Sequence, residues 1–269
     1  MDVAEARRRY AAEIMRQTGA AHPRVEAAFA AVARENYLTP PPWRLFAPGG
    51  LFEKVTADPA DLYDDVLVVL DARKGINNGQ PSLHAAWIAA VDPQPGETVL
   101  HVGIGAGYYT AILARLVAPG PVHAYEIDEP LAARAAQNLA GLPNVTVHAG
   151  TGVAVELPAA QVIYVNAAAA APDLAWLRAL APGGRLIFPW QPTPGGGVTL
   201  LATRTERGFR ADPSMAVGFI PCVGAPGRGE RVGHRDVWAT RSLWLTAERP
   251  PDDTATATFE QVWFSSDPV

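Results

Sequence analysis

The stretch VLHVGIGAGYY, residues 99–109, decides the fold class of this chain and contains Gly103, Gly105 and Gly107. These glycines fall between a predicted buried strand at 97–102 and a predicted helix at 108–118. In an open α/β sheet, a ligand crosses the carboxyl edge of the strands at such a point. Glycine suits this point because the backbone must turn sharply and approach a ligand where a Cβ atom would collide. The residues alone leave two interpretations, a ligand-binding loop or a glycine-rich turn without a ligand.

An acidic residue favours the ligand-binding interpretation. Glu126 ends the next predicted strand, at 121–127, and lies 19 residues after Gly107. A carboxylate at this place can accept hydrogen bonds from both hydroxyls of a ribose. A dinucleotide loop of the G-x-G-x-x-G type would need a small residue at position 108, but the chain has Tyr108 and a G-x-G-x-G spacing. This spacing resembles the S-adenosylmethionine (AdoMet) loop of class I methyltransferases.

Strands and helices alternate on either side of this loop. The sequence predicts strands at 144–149, 161–167 and 185–190 and helices at 129–142 and 172–180. Such alternation indicates βαβ units and a parallel sheet. Outside this core we predict helices at 4–17 and 22–34, a short strand at 65–70, a hairpin at 198–211, a strand at 216–225, a mobile loop at 224–233, and antiparallel strands at 238–248 and 254–266. We therefore expect an α/β fold with a doubly wound, mostly parallel sheet, an N-terminal helical cap and a small β-rich C-terminal extension.

Composition excludes several classes of protein. The 22 Lys+Arg and 27 Asp+Glu residues give a formal charge of −5, so we expect no nucleic-acid partner. A single cysteine, Cys222, can form neither an intramolecular disulfide nor a cysteine zinc site, and the six histidines lack metal-ligand spacing, so we expect no metal. No apolar run reaches the ~18–20 residues of a membrane span, and the N-terminus lacks the apolar core of a secretory signal. We expect a cytoplasmic protein without membrane contact, and a monomer by default.

Four segments together resemble the protein-L-isoaspartate O-methyltransferases. They are RVEAAFAAVARENYLTPP (24–41), GINNGQPSLHAAWI (75–88), PGETVLHVGIGAGYYTAILARL (95–116) and QVIYVNAAAAAPDLAWLRALAPGGRLIFPW (161–190). The likeness covers about residues 20–222 and leaves the tail outside it. It implies an N-terminal helical cap and substrate loop at 1–80, an AdoMet-binding methyltransferase domain at 81–222 and a β-rich extension at 223–269.

The resemblance implies transfer of a methyl group from AdoMet to the free carboxylate of an isoaspartyl residue in a peptide or protein. A carboxylate is ionised at neutral pH, so the rate would come from alignment with the methyl group and exclusion of water rather than from a general base. Cofactor contacts are expected from His101, Gly103, Gly105, Gly107, Tyr108, Glu126, Ile127, Thr151, Gly152 and Asn166. Catalytic roles, through contact with the substrate, are expected of Asn78, Gly79, Gln80 and Ser82.

Three positions depart from the family pattern. His101 stands where the family has an acidic residue, and we predict a neutral imidazole because a cation is unfavourable beside a sulfonium. The run Gly150-Thr151-Gly152 replaces G-D-G, which predicts weaker or differently oriented adenine binding. Gly79 replaces a serine of the substrate loop. The hydroxyl of Ser82 and the amides of residues 77–78 could replace its contact or mark a changed substrate, and the loop could also be a plain tight turn.

These departures leave two further functions open. One is a related methyltransferase that acts on a different peptide or a small-molecule nucleophile. The other is an AdoMet-binding module that has lost turnover. Methyl-ester formation on isoaspartyl but not aspartyl peptides separates the main interpretation from the first alternative, and AdoMet binding without transfer indicates the second.

Overall fold

The computed structural model describes residues 2–19, 21–50, 53–193, 196–226 and 236–269. The contacts of these residues divide the chain into two compact units. The first contains the described residues up to Gly96 together with Ile104–Gly150, and the second contains Glu97–Gly103 and Thr151–Val269. The glycine loop therefore contributes residues to both units. The domain boundaries expected from the sequence, after residues 80 and 222, stay predictions.

The first unit begins with the two helices that the sequence predicts. Its helical elements are α1 (Val3–Thr18), α2 (Pro23–Ala31), 3₁₀ turns at Arg34–Tyr37 and Pro59–Leu62, α3 (Pro81–Val91), α4 (Tyr108–Val117) and α5 (Glu129–Leu139). Asp2 caps α1 by accepting a backbone N–H of the first turn, and Gly19 ends this helix in the left-handed conformation with φ 71°. Val25, Ala28 and Phe29 are buried on one face of α2, as a helical period requires.

A small antiparallel sheet follows α2 and is only partly predicted by the sequence. Its strands are β1 (Trp43–Phe46), β2 (Glu53–Thr56), β3 (Leu67–Asp71) and β4 (Ile76–Asn77), in the order β2-β1-β3-β4. The prediction at 65–70 corresponds to β3. Strands β1 and β2 were not predicted, because prolines and glycines around residues 40–50 interrupt the pattern that marks a strand. Pairing stabilises them, because Leu45 lies opposite Val68 and both side chains are buried. The N-terminal region therefore contains a sheet as well as helices.

The alternation predicted after residue 95 is present and confirms the α/β fold class. The strands are β5 (Val99–Val102), β6 (Val122–Glu126), β7 (Val145–Ala149), β8 (Ala160–Val165) and β9 (Leu180–Thr193), with helix α6 (Leu174–Ala179) between the last two. In the first unit, β6 and β7 pair in parallel. In the second unit, β8 lies between β5 and β9 and is parallel to both.

Antiparallel strands complete the second unit. They are β10 (Gly196–Arg204), β11 (Phe209–Val217), β12 (Ser242–Leu245), β13 (Ala255–Thr258) and β14 (Val262–Ser265), and they continue from β9 in the order β10-β11-β12-β14-β13. The β10–β11 pair confirms the hairpin predicted at 198–211. Trp190 of β9 stacks on Phe264 of β14 with ring centroids 4.2 Å apart. The C-terminal strands therefore share the core of the second unit.

Two predictions near the C-terminus need correction. Residues 218–225, predicted as part of a strand, instead contribute an isolated bridge between Pro221 and Ala168, because proline has no N–H for a strand ladder. The strand predicted at 238–248 begins as a short helix, α7 (Asp236–Ala239), before β12. The predicted mobile loop at 224–233 lies mostly outside the described residues.

Candidate active site

Glu126 is joined directly to the glycine loop. Its carboxylate accepts a hydrogen bond from Gly105 N–H on Oε2 at 2.7 Å and from Asp128 N–H on Oε1 at 3.0 Å. Burial raises the pKa of the Glu126 carboxyl group, and these backbone donors oppose that rise. Ile127, the next residue, is 49% exposed. A buried, oriented carboxylate beside an open apolar side chain suits a ribose and its attached base.

Gly107 has a structural reason to be glycine. It precedes α4 with φ 97°, and a Cβ atom there would lie 2.8 Å from Cδ1 of Leu139 on α5. The left-handed φ therefore favours glycine at this position, and a Cβ atom would also have to displace the Leu139 side chain. The sequence assigned this preference to a ligand, whereas the backbone conformation and the Leu139 contact already explain it. The expected contacts of Gly103, Gly105 and Gly107 with the cofactor stay predictions.

The two tyrosines after the loop lie against other parts of the first unit. Tyr108 is buried, and its hydroxyl lies 3.4 Å from the hydroxyl of Tyr10 on α1. Burial raises the pKa of Tyr108 well above its ordinary value. Tyr109 donates a hydrogen bond to Gly79 O at 3.3 Å, and its ring stacks on His84 with centroids 3.7 Å apart. Tyr108 thus has a packing role, and its cofactor contact stays a prediction. Tyr109 connects α4 to the candidate substrate loop, residues 78–82.

Asp65 holds two of the residues expected at the substrate. Its Oδ1 accepts Ser82 N–H at 2.8 Å, and its Oδ2 accepts the Ser82 hydroxyl at 2.7 Å and the Gln80 side-chain amide at 2.8 Å. These donors lie at the N-terminus of α3, where a carboxylate is favourable. Because Asp65 already uses the Ser82 hydroxyl and would repel a second carboxylate, the structure does not support Ser82 as a replacement for the family serine.

Asn78 is held on two sides. Its Oδ1 accepts hydrogen bonds from Arg34 Nη2 at 3.0 Å and from Val68 N–H at 2.9 Å, and its own N–H donates to Val68 O at 2.9 Å. Arg34 is fully buried and also donates to the carbonyl oxygens of Leu62 and Val66, at 2.7 and 2.6 Å. The planar fork of the guanidinium group suits several such acceptors at once. Arg34 therefore fixes Asn78 relative to the start of β3.

Gly79 lies directly against His84 of α3. It has φ 74°, and a Cβ atom would lie 2.2 Å from His84 Nε2. His84 is 1% exposed. Gly79 N–H donates to Oδ1 of Asn77 at 2.8 Å. The position that carries serine in the resembled family thus has no room for a Cβ atom unless the His84 ring moves. Asn77 ends β4 and residues 78–80 have no regular secondary structure, so the tight turn that the sequence left open at 77–79 is not observed; the turn in this region lies at 72–75, between β3 and β4.

In the second unit, His101 and Asn166 lie together at the ends of β5 and β8. Asn166 Nδ2 is 2.9 Å from His101 Nε2. An amide nitrogen only donates, so Nε2 accepts and the imidazole is neutral. Burial lowers the pKa of His101 to about 3, which supports the neutral state expected from the sequence. Asn166 Oδ1 is buried and has no hydrogen-bond partner within the described ranges, so it is an acceptor suited to an ammonium group.

Thr151 and Gly152 begin the segment after β7. The Thr151 hydroxyl accepts Val153 N–H at 3.0 Å, and Gly152 O accepts Trp176 Nε1–H at 2.7 Å. Thr151 is exposed and Trp176 is fully buried. Gly152 therefore anchors a core residue through its carbonyl group, and the cofactor contacts expected of both residues stay predictions.

Three residues that organise this region were not assigned to the site from the sequence: Arg34, Asp65 and His84. Arg34 follows an apolar helix face, and a fully buried arginine there signals a specific set of acceptors. Asp65 belongs to the acidic run at 61–65, for which the sequence leaves two interpretations, a solvated loop by default or part of a peptide groove. His84 lies one helical turn after Gln80 on α3, which was the available signal for its proximity to the loop.

Among the described residues, no three His, Cys, Asp or Glu side chains are grouped so that they could hold a metal ion. No helix in the same part of the chain has both the length and the apolar character needed to cross a membrane.

Comparison with protein families and curated relatives gives consistent matches. The family model described as Protein-L-isoaspartate(D-aspartate) O-methyltransferase matches residues 51–227. The protein-L-isoaspartate O-methyltransferase of Ignicoccus hospitalis is 34% identical over 166 residues, which are 60% of this chain and 78% of that protein. Protein-L-isoaspartate O-methyltransferase 2 of an Anaeromyxobacter species is 30% identical over 220 residues, which are 80% of this chain and 82% of that protein.

Comparison with solved structures shows the same fold. A protein-L-isoaspartate O-methyltransferase structure matches with a TM-score of 0.69 and 20% identity, covering 96% of this chain and 86% of that chain. A Plasmodium falciparum protein described as a beta-aspartate methyltransferase, in complex with S-adenosyl-L-homocysteine, matches with a TM-score of 0.65 and 19% identity, covering 80% of this chain and 97% of that chain.

Proposed function

The chain belongs to the protein-L-isoaspartate(D-aspartate) O-methyltransferase family, and from this premise we propose that it transfers a methyl group from AdoMet to the free carboxylate of an isoaspartyl residue in a peptide or protein. The observation that carries the proposal is the hydrogen bond from Gly105 N–H to Glu126 Oε2 at 2.7 Å. It fixes a carboxylate suited to a ribose against a glycine loop, inside the region that the family model matches.

The residues present fit AdoMet. In the first unit, the Glu126 oxygens retain lone pairs for ribose hydroxyls, and Ile127 presents exposed apolar surface to the base. Considered by itself, the second unit has a buried acceptor suited to an amino group, Asn166 Oδ1, and a neutral His101. When bound, AdoMet supplies an electrophilic methyl group on its sulfonium.

The contribution of this chain to the reaction is the positioning of the substrate loop. Arg34 and Asp65 hold Asn78 and Ser82, at the two ends of the loop. Tyr109 ties the Gly79 carbonyl to α4, the helix that begins at the glycine loop. Because a substrate carboxylate is already ionised at neutral pH, alignment and exclusion of water supply the rate, and no side chain must remove a proton.

A methyl-transfer assay with matched peptides tests the proposal. AdoMet with a labelled methyl group is offered to an isoaspartyl peptide and to the same peptide with aspartate, and AdoMet binding is measured by calorimetry. We expect base-labile methyl ester on the isoaspartyl peptide alone. Binding without transfer would favour a module that has lost turnover, and transfer to another nucleophile alone would favour a related methyltransferase with a changed substrate. Absence of AdoMet binding contradicts all three functions.

We extend the proposal to a monomeric protein of the cytoplasm. The support for the compartment is the single cysteine, Cys222, which fits a reducing environment, and the monomer is the default expectation. Cell fractionation and light scattering on the purified protein check the two parts, and a secreted or dimeric protein would contradict them.

A further inference from the structure

The segment that follows β4 contains Asn78-Gly79, the only Asn-Gly pair in the chain. An asparagine side chain before glycine is open to attack by the next backbone nitrogen, because glycine has no Cβ atom to hinder the approach. The glycine that departs from the family pattern thus creates a chemically labile pair. The structure shows how this pair is held.

The reaction at such a pair is a cyclisation followed by hydrolysis. The Gly79 nitrogen gives up its proton and forms a bond to Cγ of Asn78, while the Cγ–Nδ2 bond breaks and Nδ2 leaves as ammonia with that proton. Water then opens the cyclic imide. Opening at one carbonyl gives an α-linked aspartate, and opening at the other gives an isoaspartate, whose backbone passes through the side chain.

The structure restrains the nucleophile in this reaction. Gly79 N–H donates to Oδ1 of the Asn77 side chain at 2.8 Å. A nitrogen whose proton is committed to an acceptor must break that hydrogen bond before it can attack. Asn77 is exposed and lies two residues before Gly79, so the restraint is local.

The electrophile is restrained as well. Asn78 Oδ1 accepts from Arg34 Nη2 at 3.0 Å and from Val68 N–H at 2.9 Å, which aligns the side chain along β3. The leaving group has no such hold, since Asn78 Nδ2 is buried without an acceptor in the described part of the chain. Among the described residues, the buried Arg34 guanidinium also has no carboxylate in ion-pair contact, so a carboxylate in place of the amide would gain a partner there.

We propose that Asn78-Gly79 is a deamidation site of this protein, kept as the intact amide by the Asn77 side chain, and that its conversion to isoaspartate disables the substrate loop. Isoaspartate adds a carbon to the backbone between residues 78 and 79. The added length moves Gly79 out of its contacts with Tyr109 and His84, which position the loop. The first half of the proposal is independent of the proposed function, and the second half rests on it.

Two variants at the exposed residue Asn77 test whether its side chain slows deamidation, and they leave the core unchanged. Wild type, Asn77→Ala and Asn77→Asp are incubated at alkaline pH, digested and followed by mass spectrometry with fragmentation that separates isoaspartate from aspartate. In Asn77→Ala we expect conversion at position 78 to be about fivefold faster than in wild type, the factor given by one lost hydrogen bond. Asn77→Asp keeps an acceptor for Gly79 N–H, so it is expected to age as wild type does.

The same spectra contain internal controls. Asn138 and Asn144 donate to backbone carbonyl oxygens, and neither precedes glycine. Their peptides are expected to stay unchanged while position 78 converts. Equal ageing of wild type and Asn77→Ala would overturn the proposal, and so would conversion at Asn138 or Asn144 as fast as at position 78.

Activity on the isoaspartyl peptide tests the second half. We expect it to fall in proportion to the isoaspartate measured at position 78, and full activity after complete conversion would overturn this half. The mass measurement needs no activity. A protein that never methylates the peptide would therefore contradict the proposed function and leave the deamidation result in place.

Discussion

Gly79→Ser restores the hydroxyl that the family pattern carries at this position, yet the structure predicts that it destabilises the protein. Gly79 has φ 74°, and its added Cβ atom would lie 2.2 Å from Nε2 of the buried His84. Gly75 is the matched control. It has φ 68°, lies four residues earlier at the end of the turn between β3 and β4, and has no heavy atom within 4 Å of the position of a Cβ atom.

The two substitutions share backbone strain and differ in contact. A residue with a side chain in the left-handed region costs about 1 kcal/mol of folding stability, and both variants have this cost. Only Gly79→Ser must also displace the His84 ring, which stacks on Tyr109 with centroids 3.7 Å apart. Overpacking and the lost ring stacking together cost about 2 kcal/mol more. We therefore expect Gly79→Ser to lower the free energy of unfolding by about 3 kcal/mol and Gly75→Ser by about 1 kcal/mol.

Urea unfolding of wild type, both single variants, His84→Ala and the double variant Gly79→Ser/His84→Ala measures these differences. In the His84→Ala background the contact is gone, so Gly79→Ser should cost about 1 kcal/mol, which is the strain alone. Equal losses for Gly75→Ser and Gly79→Ser would refute the steric argument. An unchanged cost of Gly79→Ser without His84 would refute it independently.

Three further predictions address the cofactor, the loop and pH. Glu126→Gln places an amide against backbone donors that need an acceptor, so we expect the Kd for AdoMet to rise at least about tenfold in calorimetry; an unchanged Kd would contradict the assigned role. Asp65→Asn weakens the charge-assisted hydrogen bonds to Ser82, so kcat/KM for the isoaspartyl peptide should fall about tenfold while the affinity for AdoMet stays unchanged. The control is Asp64→Asn, at an exposed neighbour, which should match wild type in both measurements. The folded-state pKa of His101 is lowered to about 3, so folding excludes a proton that the unfolded chain binds below about pH 6.5. Stability should therefore fall as pH drops from about 6.5 towards 3, by up to about 1.4 kcal/mol per pH unit more than in His101→Gln, and equal slopes would show that His101 is not buried as a neutral group.

The core of the fold could be predicted because its signals are local. The helix predicted at 108–118 is observed as Tyr108–Val117, and the strand predicted at 144–149 is observed as Val145–Ala149. Each of these segments carries its own apolar period and its own end signals. The segments that were missed or misassigned, such as β1 and residues 218–225, depend on which strand lies beside them, and that neighbour is remote in sequence.

The residues of the candidate site could likewise be predicted only where their spacing along the chain is short. The glycine loop and Glu126 were found by spacing, because the loop, the strand and the acidic residue follow one another along the chain. The partners of the substrate loop were not found in this way. Asp65 lies 17 residues before Ser82, and Arg34 lies 44 residues before Asn78, so no short pattern joins them.

The sequence by itself determined the α/β class, the family resemblance and the carboxylate opposite the glycine loop, since these follow from short-range spacing and residue type. The tertiary structure alone decided what the loop residues do. It engaged the Ser82 hydroxyl with Asp65, fixed Asn78 on Arg34 and filled the space beside Gly79 with His84. The physical reason is that a hydrogen-bond partner and the room for a Cβ atom depend on distances between segments that only folding brings together.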